Sequence, residues 1–538
     1  MTSVAGHVVE GMRLAGIRQL FCIPGVQNDD LFDVLVDARP WLEIIVARHE
    51  QGAAYMAMGA AQVTGRPSAC SVVPGPGVLN ASAALTSACG GGARVLAVVG
   101  QIPTWALGRG YRVLHELDDQ PAVLAQVTKH VASVRDTGGA VGRVQAALDA
   151  LVSGTPRPVA IEVPADLWAQ DAPGAVAPPV VTMPVPDPAA LDRAVDLLAG
   201  AQRPLVWVGG GAQDAAPAVR RLAELLQAPV STRRMGHGVM DADDPLFAPL
   251  PLAHDLWAGV DVVLGIGTRL EFPLLQWGRQ GVTLVQVNTD AAELDRHRIG
   301  AVGLHGDAAA VVPLLVERLE ERLAGNPRPD QRAAMADRRA AYAASIAHLQ
   351  PQLGFLAALA QALPADAVLV EDVTQVTFAA HIAYPFRHPR TFLSTGFAGT
   401  LGSAVATAIG AKAAAPDRAV VALTGDGGFL FTATELASAV QHGIASVTVV
   451  FDDGAYGNVQ RIQRERFGPG RTIASTLVNP DVVAFARSFG CYAERVDGPD
   501  GLGAALARAL AHGGPAVLHV PVGTMPSPWP FLVMPPVR

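Results

Sequence analysis

Between residues 19 and 100, short apolar runs alternate with stretches whose apolar positions recur every three or four residues. The runs at 20–23, 43–46, 69–73 and 95–99 read as strands, and 31–36, 52–63 and 80–89 between them read as helices. Strands that are apolar throughout and separated by helical segments mark a parallel sheet covered on both faces. The rhythm returns twice. Residues 205–208, 262–266 and 284–287 are strand-like with a helix at 218–226, and residues 419–424 and 446–451 flank a helical stretch at 432–442. The pattern predicts an α/β chain of three doubly wound parallel-sheet domains, at 1–170, 189–324 and 350–538. A proline-rich linker at 171–188, DAPGAVAPPVVTMPVPDP, separates the first two, since proline favours extended, unpaired backbone. A charged helix at 328–348 leads into the third.

Composition narrows the function. The 538 residues are 50% apolar and 16% charged, enough to bury several large cores, and a net charge of −8 without basic blocks excludes nucleic acid as the expected partner. Cys22, Cys70, Cys89 and Cys491 are dispersed in apolar sequence without metal-type spacing, so buried, reduced thiols and a cytoplasmic setting are expected. The first residues carry His7, Glu10 and Arg13 at amphipathic helical spacing rather than a basic segment before an apolar core, so no signal peptide is expected. Apolar runs are cut by Gly, Pro or charge before the roughly 18 residues of a membrane span.

The chemistry gathers where strands end. The run at 419–424 closes on Gly425-Asp426-Gly427-Gly428, and the run at 446–451 on Asp452-Asp453 before Gly454-Ala455-Tyr456-Gly457. A right-handed β-α-β crossover puts both carboxyl ends on one sheet edge, so Asp426 and Asp453 are expected to converge. Hard oxygen ligands beside exposed Gly427 and Gly428 amides suit Mg²⁺ carrying a diphosphate. Gly-Asp-Gly alone is mostly a turn; its place between a strand and a helix, opposite a second acidic strand end, is what points to a site. Glu50, in Arg48-His49-Glu50-Gln51-Gly52-Ala53-Ala54, reads locally as a carboxylate stabilised at a helix start. Gly209, Gly210 and Gly211 after a strand lack the full dinucleotide fingerprint and read as a bare turn. Pro24-Gly25 and Pro74-Gly75-Pro76-Gly77 also follow strands, where open sheets place ligand loops.

GDGGF, ELASAVQ and DGAYGNV, in register, resemble the thiamin diphosphate signature of the acetolactate synthase-like family. Resemblance covers nearly the whole chain and implies thiamin diphosphate and Mg²⁺ as cofactors. Asp452 and Asp453 stand where that family has Asn; the second position is its metal ligand, so Asp426, Asp453 and the Ala455 carbonyl are the implied metal set, with one extra negative charge. RHEQGAA is similar to the sequence around the glutamate that hydrogen-bonds the cofactor's aminopyrimidine, which makes Glu50 the implied acid. It protonates a ring nitrogen so that the exocyclic amine can take the proton from the thiazolium carbon. The resemblance also implies that Thr374 and Gln375 belong to the diphosphate loop with Gly427, Gly428 and Tyr456. In the same way the Gly399 carbonyl accepts from the cofactor's amino group and Leu401 wedges between its rings.

In the family the corresponding loops face the substrate, so the resemblance implies Gln27, Gln101 and His115 as candidate contacts, with a surface helix residue the equal alternative for His115. Gln27 is polar where acetolactate synthases are small and apolar, which sets acetolactate formation itself apart from the expectation. The central domain of the resembled synthases binds FAD or ADP. This chain keeps GIGTRLEF with Arg269 but departs from them at VMDADDPLFAPLPLAHD, which predicts that FAD is not retained. The implied activity is decarboxylation or carboligation of 2-oxo acids by a homodimer or homotetramer, without nucleic acid or membrane partners. A lyase or C–C hydrolase acting on 2-hydroxyketones or diketones is the nearest alternative. A non-catalytic cofactor or nucleotide sensor is the other, and Glu50 argues against it, because a binder needs no such acid.

Overall fold

The structure is a computed structural model and describes residues 2–296 and 302–538. Three parallel sheets form. In the first the strands lie in the order Glu43–Val46, Gln19–Cys22, Ser68–Val72, Val95–Gln101, Val159–Pro164, His130–Ser133. The third sheet runs Phe392–Leu393, Val368–Glu371, Val420–Gly425, Val447–Asp452, Ala516–Pro521, Tyr492–Arg495. Numbered by chain position within each domain, both follow the order 2-1-3-4-6-5, so the first and third domains share one winding. The central sheet, Val230–Thr232, Pro204–Val208, Val262–Ile266, Thr283–Asn288 and Val302–His305, follows 2-1-3-4-5. In each, the winding reverses between the first and third strands, and loops leaving that point open a crevice.

The strands are buried on both faces, as their continuous apolar runs require. First and third domains are fused by helices Glu50–Thr64 and Ala404–Ala414, which contribute to one core. They approach backbone to backbone. A Cβ on Gly59 would land on the Thr407 carbonyl oxygen and one on Gly410 on the Met56 carbonyl.

Some local expectations shift. The helix after Gly425 starts at Asp426 rather than 432, running Asp426–Thr432 before a 3-10 turn, Ala433–Glu435, and a helix Leu436–Gln441. An acid in the first turn favours that earlier start. The charged helix is Arg332–Ile346, shorter than 328–348: Pro329 disfavours helical backbone at Arg328, whose guanidinium donates to the carbonyls of Leu198, Ala199 and Ala201 at the end of helix Pro188–Gly200. His7 lies buried against the Ala172 carbonyl, inside the antiparallel pairing of Thr2–Ser3 with Asp171–Ala172 rather than on a polar face. Cys22, Cys70 and Cys491 are buried and Cys89 is half-buried, all as free thiols. Among the described residues no helix is long and apolar enough to cross a membrane.

Candidate active site

Three neighbouring parallel strands deliver one cluster. Val368–Glu371, Val420–Gly425 and Val447–Asp452 pair in register, so their exits, Asp372 to Thr374, Asp426, and Asp453, open on one edge. Thr374 caps helix Gln375–Ala383, its hydroxyl accepting from the Thr377 amide at 3.0 Å, and Thr374 Cγ2 stands beside Gly425. Two helix N-termini, at Gln375 and Asp426, are thus adjacent, and first-turn N–H groups of both lack partners within their own helices. Helix N-termini of this kind favour an anion. Gln375 Oε1 is buried there without a partner.

The acids sit at the same edge. Asp426 is 2% exposed, and burial raises its carboxyl above the usual range while a 2.6 Å hydrogen bond from Asn479 Nδ2 pulls it back. Asp453 lies at the rim, yet partial burial, then the negative charge of Asp426, push its carboxyl up to about 6. The two carboxyls are within reach of sharing a proton. Like charges held together in this way are relieved by a cation. Among the described residues no three His, Cys, Asp or Glu side chains form a metal cluster. What the edge offers instead is two carboxylates and the Ala455 backbone carbonyl, a set of the hard oxygen type that suits Mg²⁺. Asp452 stands next to this pair: it accepts from His519 Nε2 at 2.9 Å and, at 3.3 Å, from the same Asn479 Nδ2 that donates to Asp426, and its charge helps to raise both carboxyls. Tertiary proximity, not local spacing, brings in Asn479 from a loop and His519 from strand Ala516–Pro521, and the sequence reading missed both.

Gly427 is required by its neighbours, since a Cβ there would press 2.6 Å from the Tyr456 ring. The backbone of residues 475–477 folds back over Gly454 to Tyr456, with Tyr456 N donating to Ser475 O at 2.9 Å and Leu477 N to Gly454 O at 2.8 Å. Gly399 is exposed with φ 56° and Leu401 is half-buried in the same loop. Behind them Asp372 is buried and pushed up to about 6 by that burial, against amides of Gly402 and Val373 that favour its charge.

Glu50 is the first residue of helix Glu50–Thr64 and accepts from Asn80 Nδ2 at 3.0 Å. Among the described residues no hydrogen bond joins it to the loops of Gly399 or Asp426. Of the substrate-facing candidates, Gln27 is buried, donates from Nε2 to the Leu114 carbonyl at 3.5 Å, and leaves Oε1 without a partner. His115 holds φ 69° with Nδ1 buried and unpartnered. Gln101 points into the domain. Its Nε2 donates to Glu162 at 3.0 Å and its Oε1 accepts from the Ile102 amide at 2.7 Å, so both ends of the side chain are committed.

In the central domain Gly209, Gly210 and Gly211 border a cavity of about 570 Å³ that Arg157, Arg233 and Arg269 also line. The glycines answer first to each other: a Cβ on Gly211 would meet Gly267 Cα at 2.8 Å, and one on Gly209 would meet Thr268 Cβ at the same distance.

Three family profiles match the chain in order: thiamine pyrophosphate enzyme N-terminal TPP binding domain over residues 2–123, central domain over 191–315, and C-terminal TPP binding domain over 372–520. A probable 2-ketoarginine decarboxylase of Pseudomonas aeruginosa is 34% identical over 492 residues, 88% of this chain and 86% of that protein. The acetolactate synthase isozyme 2 large subunit of Escherichia coli is 29% identical over 549 residues, 98% of this chain and 97% of its own length. The acetolactate synthase large subunit of Parasynechococcus marenigrum is 30% identical over 554 residues, covering 97% of this chain and 87% of that one.

Proposed function

Because the chain belongs to the thiamin diphosphate enzyme family, in its acetolactate synthase-like branch, we propose that it decarboxylates a 2-oxo acid and passes the product to a proton or to an acceptor carbonyl. The observation that carries this is the strand-end cluster of Asp426 and Asp453 beside two helix N-termini, in a chain that also presents Glu50 at a helix start. When bound, the cofactor would supply a nucleophilic carbon and an electron sink, the chemistry that decarboxylation of a 2-oxo acid needs. The chain's own residues do the rest. Asp426, Asp453 and the Ala455 carbonyl would hold Mg²⁺, and the amides of Gly427 and Gly428 with the Thr374–Gln375 helix start would hold the diphosphate. Tyr456 packs over Gly427, Leu401 and the Gly399 carbonyl would orient the rings, and Glu50 would hold a proton at the pyrimidine nitrogen.

Unpartnered Gln27 Oε1 and His115 Nδ1 beside one loop support a donor with a polar side chain, in keeping with the relative named for 2-ketoarginine. Gln101 acts from behind, through Glu162. We further propose a cytoplasmic homo-oligomer, which the free thiols and the exposed apolar side chains near both site edges support. The test is incubation with thiamin diphosphate, Mg²⁺ and a panel of 2-oxo acids, with and without aldehydes, read by product mass. CO₂ release from at least one polar 2-oxo acid is expected. Cleavage of 2-hydroxyketones or diketones with no decarboxylation would replace this reading with the lyase one.

A further inference from the structure

Glu50 opens its helix, but the backbone that delivers it is held from the third domain. Strand Glu43–Val46 is the edge of the first sheet, paired on one side only, so its exit needs support from elsewhere. The Glu435 carboxyl, 0% exposed, accepts from the Arg48 amide at 3.0 and 3.1 Å, from the His49 amide at 3.0 Å and from the Ser438 hydroxyl at 2.8 Å. His442 Nε2 accepts from the Val46 amide at 3.0 Å, and Gln441 Oε1 from the Arg48 guanidinium at 2.6 Å. Gly52, in the first turn of the Glu50 helix, leaves the space the carboxyl fills, because a Cβ there would overlap Glu435 Oε1. Three side chains of one short segment therefore grip three of the four residues before Glu50.

A buried carboxyl is a costly way to glue two domains, since apolar residues of like volume are as stabilising or more so. Its worth lies in direction: charge-assisted bonds to two successive amides fix where the peptide planes point. We infer that Glu435 is a positioning residue for Glu50, the fixed point against which the third domain sets the helix end that carries the acid. This rests on the catalytic reading of Glu50 proposed above. A misplacement of about 1 Å at a catalytic group costs on the order of 10²-fold in rate, and the clamp guards against a displacement of that kind.

Glu435→Gln keeps the volume but removes the charge and, in either orientation of the amide, turns an NH₂ toward the Arg48 N–H. Three readouts on the full-length protein test the inference. In apo protein, hydrogen exchange at the Arg48 and His49 amides is expected to speed up. In holoenzyme, exchange of the cofactor C2 proton for deuterium is expected to slow by about 10-fold or more, within the on the order of 10²-fold that 1 Å of misplacement costs. Thiamin diphosphate affinity is expected to hold within about two-fold, because its contacts lie elsewhere. Glu50→Gln serves as reference. Slow C2 exchange in Glu50→Gln with wild-type exchange in Glu435→Gln overturns the positioning role alone and marks Glu435 as structural, whatever its effect on melting. Wild-type exchange in Glu50→Gln overturns the reading of Glu50 and this inference with it. If Glu435→Gln does not fold, Ser438→Ala, which removes only the hydroxyl donated to Glu435, carries the same test: slowed C2 exchange at unchanged affinity supports the clamp, and wild-type exchange overturns it.

Discussion

Asp426 has the most concentrated role of any single side chain: it is buried, held by Asn479 and coupled to Asp453. Asp426→Ala removes one of two anionic ligands, so thiamin diphosphate binding measured by calorimetry is expected to be lost, as it is in chelator. Unchanged affinity in either condition refutes the metal site. Asp453 adds a pH dependence. Its carboxyl is raised to about 6 from 3.8, so in the folded apo protein it keeps a proton that the unfolded chain has already released between those values. The sign follows from that order: this group's contribution to apo stability is greatest below about 4 and declines as pH rises through about 6. Cation binding needs the deprotonated form and runs the other way. Mg²⁺-dependent cofactor affinity is expected to weaken as pH falls below about 6 and to flatten above it, and Asp453→Asn is expected to remove the slope. A flat profile in the wild type would show that Asp453 does not ligate. For Glu50, Glu50→Gln keeps size and hydrogen bonding but supplies no proton, so cofactor affinity should persist while turnover falls by about 10²–10⁴-fold with every substrate. Near-wild-type turnover would leave Glu50 as a helix-end carboxylate.

At the scale of elements, the crossing of helices Glu50–Thr64 and Ala404–Ala414 is the joint on which the first and third domains meet. Gly59 and Gly410 allow it, since any Cβ would strike the facing backbone rather than a side chain able to move aside. Gly410→Ala raises helix propensity by about 1 kcal/mol, yet overpacking costs about 1–3 kcal/mol, and backbone contacts leave no cheap relief. Net destabilisation is expected as a lower denaturant midpoint. A midpoint at or above wild type would show that the helices can part without cost. Apolar spacing made both segments legible as helices. Their contact was not legible, because small residues at a crossing look like any alanine-rich helix.

At the scale of the molecule, the Glu50 edge exposes Val26, Leu79, Trp105, Tyr111 and Leu114, and the metal edge exposes Phe397, Leu430, Phe431 and Val478. Exposed apolar side chains gathered at two site edges mark surfaces made to be covered. We expect at least a dimer in which one chain's Glu50 edge meets the partner's metal edge; an active monomer in mass measurements at low concentration would overturn it. The central domain is expected to leave the purified protein colourless, its glycines being explained by their own close packing. A stoichiometric flavin spectrum would show that the cavity beside Arg269 holds FAD after all.

Burial on both faces forces continuous apolar strands, and covering helices force a three-to-four repeat, so three parallel sheets were determined by the chain's pattern alone. The acids at strand ends were legible for a related reason: a right-handed crossover leaves no other edge for them. Only the folded chain decided that the first and third domains share one strand order, that Gln101 turns inward to Glu162, that Asn479 and His519 answer the charges of Asp426 and Asp452, and that Glu435 grips Arg48 and His49. The reason is physical. Periodicity records what each element needs from its neighbours on average, as burial or exposure, whereas a hydrogen bond between residues hundreds of positions apart depends on where two elements come to rest and leaves no mark on the spacing of either.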